Sequence, residues 1–167
     1  MTRVERQVLA AALVTTLAGS ATASAQGNVI HPIGAESKRI LATGVGESPT
    51  LRQLVERIEA SDLVVYVVTS PEPGRWRGYT RLISAAGQPR AVMVTLSQAL
   101  IPRERMAILG HELQHVSEIA AAADVTDQPA MRLLFARIGM VGASRNGYET
   151  RAAQDVERRV RQELRVH

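Results

Sequence analysis

The sequence contains no cysteine, very few aromatic residues, and one lysine, Lys38, among its 20 basic residues. The absence of cysteine excludes disulfide bonds, thiolate chemistry, iron–sulfur clusters and zinc sites built from cysteine. Aromatic residues make up 3% of the chain, which leaves few rings for base stacking and argues against a protein that reads single-stranded nucleic acid. The formal net charge of +4 is carried almost wholly by arginine, and a charge this small permits acidic partners without requiring them.

The length and the apolar content predict one folded domain. The chain has 167 residues, of which 46% are hydrophobic and 22% are charged. These values are typical of a chain that folds around one core, and they exclude a large multidomain machine and a chain that is disordered by composition.

The first 25 residues have the order of a secretory signal. Arg3 and Arg6 precede a mostly apolar run over 8–17, and the small residues at 23–25 form an A-x-A cleavage site. The apolar run is too short for a comfortable membrane span. We therefore expect cleavage before Gln26 and no stable membrane span in the mature chain, with an uncleaved anchor as the alternative. Export of a cysteine-free protein predicts the bacterial periplasm or exterior.

The rest of the chain predicts an α+β domain. Residues 26–47 contain several glycines and a proline, which indicates a flexible N-terminal segment with at most one or two helical turns. The folded domain then covers 48–167. Its patterns predict a helix beginning at Ser48-Pro49, strands over 63–69, 79–84 and 91–96, and helices over 102–122, 129–138 and 148–165. The domain is thus expected to have a helix, a three-stranded sheet whose last two strands form a hairpin, and three helices.

The chemistry is indicated by residues 111–115, which match H-E-x-x-H. Four residues make about one helical turn, so His111 and His115 project from one face and can bind one metal ion. Two neutral imidazoles suit zinc, which keeps further positions for a protein ligand and water. Glu112 is rotated by about 100° from His111, beside the metal, where a general base for an activated water belongs. The surrounding apolar pattern directs Glu112 inward, where an ionised carboxylate is costly unless a cation compensates it.

The third protein ligand has several candidates. Glu118 is seven residues from His111, about 10 Å along the helix axis, so we interpret it as solvated or as an outer partner of the site. Glu149, near the start of the last helix, shares the inward stripe of that helix and is the better candidate. Asp155 is the reserve, and His31 in the N-terminal segment is another possible zinc ligand.

With these residues in place, the chain resembles the gluzincin-type metallopeptidases, a group of zincins. In these enzymes a glutamate on a helix after the H-E-x-x-H helix, often in E-x-x-A, is the third zinc ligand. The run from Glu149 to Ala152 fits this pattern 34 residues beyond His115. The resemblance covers about 51–164 and implies a small zincin-like fold whose edge strand receives substrate by β-addition.

Together with the predicted signal segment, the resemblance implies an exported zinc-dependent hydrolase that acts on a peptide or protein. His111, His115 and Glu149 would hold Zn²⁺, and Glu112 would be the general base. Tyr148 is a catalytic candidate because its hydroxyl can donate a hydrogen bond to an oxyanion. No nucleic-acid partner is expected. The alternative function is a non-catalytic zinc-binding or interaction module that retains the same fold.

Overall fold

The structure is a computed structural model that describes residues 29–71, 76–84, 88–140 and 148–165. The predicted signal segment 1–25 lies outside the described residues. In chain order the elements are β1 (Ile30–Pro32), α1 (Gly34–Glu47), α2 (Pro49–Glu59), β2 (Val64–Ser70), β3 (Gly78–Leu82), β4 (Ala91–Ser97), α3 (Pro102–Ala120), α4 (Gln128–Ile138) and α5 (Arg151–Glu163). The α+β class predicted from the sequence is confirmed.

The four strands form one sheet in the order β1-β2-β4-β3. β1 and β4 both pair with β2 in parallel, whereas β3 pairs with β4 in antiparallel fashion. The predicted hairpin is therefore confirmed by the β3–β4 pairing, and β3 lies at one edge of the sheet. The opposite edge is β1.

The N-terminal part of the domain differs from the expectation. We predicted a flexible segment over 26–47 and a three-stranded sheet, but β1 and α1 occupy 30–47 and supply a fourth strand and an additional helix. The prediction was wrong because it interpreted the glycines of this segment as a sign of flexibility. A Cβ on Gly44 would lie 2.8 Å from Leu51 Cδ1 and 3.6 Å from Met106 Cγ, so this glycine lets α1 pack closely against its neighbours instead of ending the helix.

The core lies between the helices and one face of the sheet. Alternate residues of the two central strands are fully buried on this face, namely Val65, Val67, Val92 and Val94. Burying such a side chain contributes about 1.5–3 kcal/mol. Helix α3 contacts β3, β4, α1, α2 and α5, so the H-E-x-x-H residues sit on the central helix of the domain.

Local signals explain where the helices begin. Ser48 accepts a hydrogen bond from Leu51 N at the start of α2, Asp127 caps α4, and Thr150 caps α5 by accepting from Ala153 N. Side chains of this kind satisfy backbone N–H groups that have no partner within the helix. No helix among the described residues has both the length and the apolar composition needed to cross a bilayer.

Candidate metal centre

Helix α3 brings the three residues of the motif to the inner side of the domain. His115 and Glu112 are 3% and 5% exposed, and the side chain of His111 is 12% exposed. The predicted inward direction of Glu112 is therefore confirmed. Such a buried carboxylate requires compensation from hydrogen bonds or from a cation.

The ligand atoms of His111, His115 and Glu149 converge on one point. His111 Nε2 lies 3.2 Å from His115 Nε2 and 3.1 Å from Glu149 Oε1, and the three ligand atoms all lie within 4.8 Å of one another. Two nitrogens bound at 2.0–2.1 Å to a tetrahedral ion are about 3.3 Å apart. The spacing of these atoms therefore fits a metal ion bound between them.

The outer nitrogen of His115 is fixed by a carboxylate. Its Nδ1 lies 2.9 Å from Glu118 Oε2, and Thr150 Oγ1 donates to Glu118 Oε1 at 2.8 Å. An ionised carboxylate only accepts hydrogen bonds, so Nδ1 carries the hydrogen and Nε2 keeps its lone pair for a metal. Glu118 is thus an outer partner, one of the two roles we considered. It also connects α3 to the cap of α5, next to Glu149.

The outer nitrogen of His111 faces a second carboxylate, that of Glu157. The two atoms, His111 Nδ1 and Glu157 Oε2, are 3.2 Å apart in an ion-pair contact without a linear hydrogen bond. Glu157 Oε1 in turn accepts from Arg77 at 3.0 Å and from Arg161 at 2.7 Å. The alternating arginines and glutamates of this helix are typical of a solvated face, but Glu157 and Arg161 instead form contacts with other elements. The hydrophobic pattern of α5 alone gives no sign that Glu157 reaches His111.

These contacts shift the ionisation of the site. Burial lowers the pKa of His111, but the contact with Glu157 and the charges of Glu112 and Glu149 outweigh it and raise that pKa above its usual value. Burial favours neutral Glu157, yet His111, Arg77 and Arg161 together lower its pKa to about 2. Burial also raises the pKa of Glu112 against the opposing charges of the two histidines. The site therefore concentrates negative charge that a bound cation would neutralise.

Glu112 is positioned by the edge strand β3. Thr80 Oγ1 donates a hydrogen bond of 2.8 Å to Glu112 Oε2. A Cβ on Gly78 would lie 2.6 Å from Ile108 Cγ2 and 3.1 Å from Glu112 Oε1. Only glycine therefore allows the strand to approach α3 this closely, and the close approach places the backbone of β3 beside the proposed base.

A cavity of about 700 Å³ opens over these residues. It is lined by β3, by the motif residues of α3 and by Tyr148 and Glu149. Its volume is in the range of small-molecule and substrate sites. The ring of Tyr148 stacks on Phe135 with centroids 4.6 Å apart, and burial raises the pKa of its hydroxyl. Trp76 also lines the cavity.

Two reserve candidates lie outside this cluster. Asp155 pairs with Arg158 and its side chain is 45% exposed, while His31 contacts Tyr66 on the β1 side of the sheet. Neither belongs to the group of converging ligand atoms. Of the two alanines at the start of α5, Ala152 is exposed and Ala153 is buried. Helix α5 also begins after Glu149, with Thr150 as its cap.

We expect Glu157→Gln to weaken metal binding about 10- to 100-fold, because a neutral amide supports His111 less than a carboxylate does. The measurement is competition for Zn²⁺ between the protein and a chelator. Glu163→Gln is the matched control on the same helix, since Glu163 accepts from Thr50 Oγ1 at 2.7 Å and does not contact the histidines. Equal zinc affinities in the two variants would contradict the assigned role of Glu157.

No family model, curated protein or solved structure matches the chain. The assignment of a function therefore depends on the geometry of the cluster, the cavity and the edge strand.

Proposed function

We propose that this protein is an exported zinc-dependent hydrolase of the gluzincin-like type and that it cleaves peptide bonds. The observation that supports this proposal is the convergence of one ligand atom each of His111, His115 and Glu149 within 4.8 Å, next to the buried carboxylate of Glu112. A site that only held a structural metal would have no need of this base.

Each residue of the site would have a separate role in the hydrolysis. His111, His115 and Glu149 would hold a zinc ion, which when bound would supply Lewis acidity for a water and for the scissile carbonyl. Thr80 occupies Glu112 Oε2, which leaves Oε1 to accept the proton of the attacking water. Glu112 then passes that proton to the leaving amine. Burial raises the pKa of Glu112, which favours acceptance of a proton by this carboxylate.

Tyr148 fits the role of a hydrogen-bond donor in the same cavity. Burial raises the pKa of its hydroxyl, so the phenol keeps its proton at neutral pH. Stacking on Phe135 limits the rotation of the ring. A fixed donor at this place would stabilise the oxyanion that forms on the carbonyl oxygen.

A peptide substrate is supported by the edge of β3 that pairs with no other strand among the described residues. Along this strand, Arg77 O accepts from Ser97 N and Ile83 N donates to Ala91 O, so the odd-numbered residues use their backbone groups for the pairing with β4. In an antiparallel ladder the alternate residues, here Gly78, Thr80 and Leu82, then direct their N–H and C=O groups away from β4. Gly78 and Thr80 lie beside Glu112, and the outward groups of this strand can pair with an extended peptide.

The test is to remove metal from the purified protein with a chelator and then add Zn²⁺ in the presence of a peptide library. We expect close to one zinc ion per chain and zinc-dependent cleavage detected by mass spectrometry. Binding of zinc without cleavage of any peptide would favour the non-catalytic module. Failure to take up zinc would reject the proposal as a whole.

A further inference from the structure

We propose that this cleft selects peptides with an acidic side chain opposite Arg81, on the N-terminal side of the cleaved bond. The inference rests on the proposed peptidase function and adds the substrate class to it. It is supported by the hydrogen-bonding pattern of the β3 backbone and by the ion pairs of the charged side chains that line the cavity.

The backbone pattern determines which side chains of β3 meet a bound peptide most closely. A peptide that bonds to the free groups of Gly78 and Thr80 forms hydrogen-bonded pairs at those positions. Tyr79 and Arg81 then face the peptide in non-hydrogen-bonded pairs, in which the Cα atoms are about 4.5 Å apart and the side chains are closest. The peptide residue opposite Arg81 therefore has its side chain next to the guanidinium on the same face of the sheet.

Among the arginines that the structure describes in the lining of the cavity, Arg81 has the charge that is available for a substrate. Arg81 is exposed and lines the cavity, and among the residues that the structure describes it forms no ion pair. Arg77, which lines the same cavity, is already paired with Glu104 at 2.6 Å and with Glu157 at 3.0 Å.

The acidic side chains that line the cavity also already have hydrogen-bond or ion-pair partners. Glu112 accepts from Thr80, Glu149 contacts His111, and Glu157 contacts His111 and two arginines. A carboxylate on the substrate would therefore meet an uncompensated positive charge at Arg81. Opposite charges directly across two strands attract, and like charges repel.

The strand direction places the acidic residue relative to the cleaved bond. Antiparallel pairs are two to three times as frequent as parallel ones, and we infer that direction for the peptide. Because Thr80 contacts Glu112, the cleaved bond lies opposite 78–80. In an antiparallel partner, the residue opposite Arg81 precedes the residue opposite Thr80. The acidic side chain is therefore on the N-terminal side.

The experiment compares cleavage of matched peptides by the zinc-loaded wild-type protein and by Arg81→Glu. For the wild type we expect kcat/KM to be about 1.5- to 5-fold higher with Asp or Glu than with Ala at one N-terminal-side position. In Arg81→Glu the preference should reverse to Lys and Arg at that same position. Arg159→Glu is the matched control, because Arg159 is an exposed arginine of α5, outside the residues that line the cavity, and it should leave the preference unchanged.

The outcomes separate this proposal from the proposed function. A zinc-loaded wild-type protein that cleaves no peptide overturns both. Zinc-dependent cleavage that shows no acidic preference on the N-terminal side, or a preference that Arg81→Glu leaves unchanged, overturns the role of Arg81 and leaves the peptidase standing. Reversal in Arg81→Glu, with none in Arg159→Glu, supports the role of Arg81.

Discussion

Replacing Glu112 by glutamine is expected to lower peptide hydrolysis by a factor of about 10²–10⁴, the usual worth of a general base. Zinc content should not change, because the proposed ligands are the two histidines and Glu149. Glutamine keeps the size of the side chain and can still accept the hydrogen bond from Thr80. The measurement is kcat/KM on a cleaved peptide, with zinc determined on the same preparation.

Thermal unfolding of Glu112→Gln distinguishes loss of the general base from loss of the folded structure. Burial raises the pKa of Glu112, so a neutral amide at this position costs less to bury than an ionised carboxylate. We therefore expect the melting temperature of Glu112→Gln to equal or exceed that of the wild type. Glu56→Gln, a change at an exposed glutamate of α2, serves as the control and should leave hydrolysis unaltered. Turnover at the wild-type rate in Glu112→Gln would show that the assigned mechanism is wrong.

The elements around the site were predictable because their signals are local. The β-branched run over 63–69 predicts β2, and Ser48-Pro49 predicts the start of α2, since the hydroxyl caps the helix and proline suits its first turn. The spacing of His111 and His115 predicts two imidazoles on one face of α3. In each case the residues that carry the signal are neighbours in sequence, and the structure confirms the element.

The remaining features depend on contacts between distant parts of the chain. β1 has three residues and includes Pro32, so its propensity is weak and its pairing with β2 decides its conformation. Glu157 faces His111 because α5 packs along α3, and no periodicity in α5 distinguishes this glutamate from a solvated one. Arg81 likewise becomes a candidate only when the pairing of β3 with β4 shows which backbone groups of β3 have no strand partner among the described residues.

Replacing Glu149 by alanine should weaken zinc binding by more than about 100-fold, beyond the effect of losing an outer partner of the site. The physical reason is that a site with three protein ligands becomes a site with two. Zinc at 100 times its Kd should stabilise the wild-type protein by about 2.7 kcal/mol, and this gain should largely disappear in Glu149→Ala. The measurements are competition for Zn²⁺ with a chelator and thermal unfolding with and without zinc.

Two other carboxylates make this prediction specific. Glu118→Ala removes the partner of His115 Nδ1 and should weaken zinc binding by about 10- to 100-fold, less than Glu149→Ala. Asp155→Ala removes an exposed side chain paired with Arg158 and should leave zinc affinity unchanged. The order of effects is therefore Glu149, then Glu118, then Asp155. Retention of zinc in Glu149→Ala together with its loss in Asp155→Ala would reject the gluzincin-like ligand set, because Glu149 would then contact His111 without holding the metal.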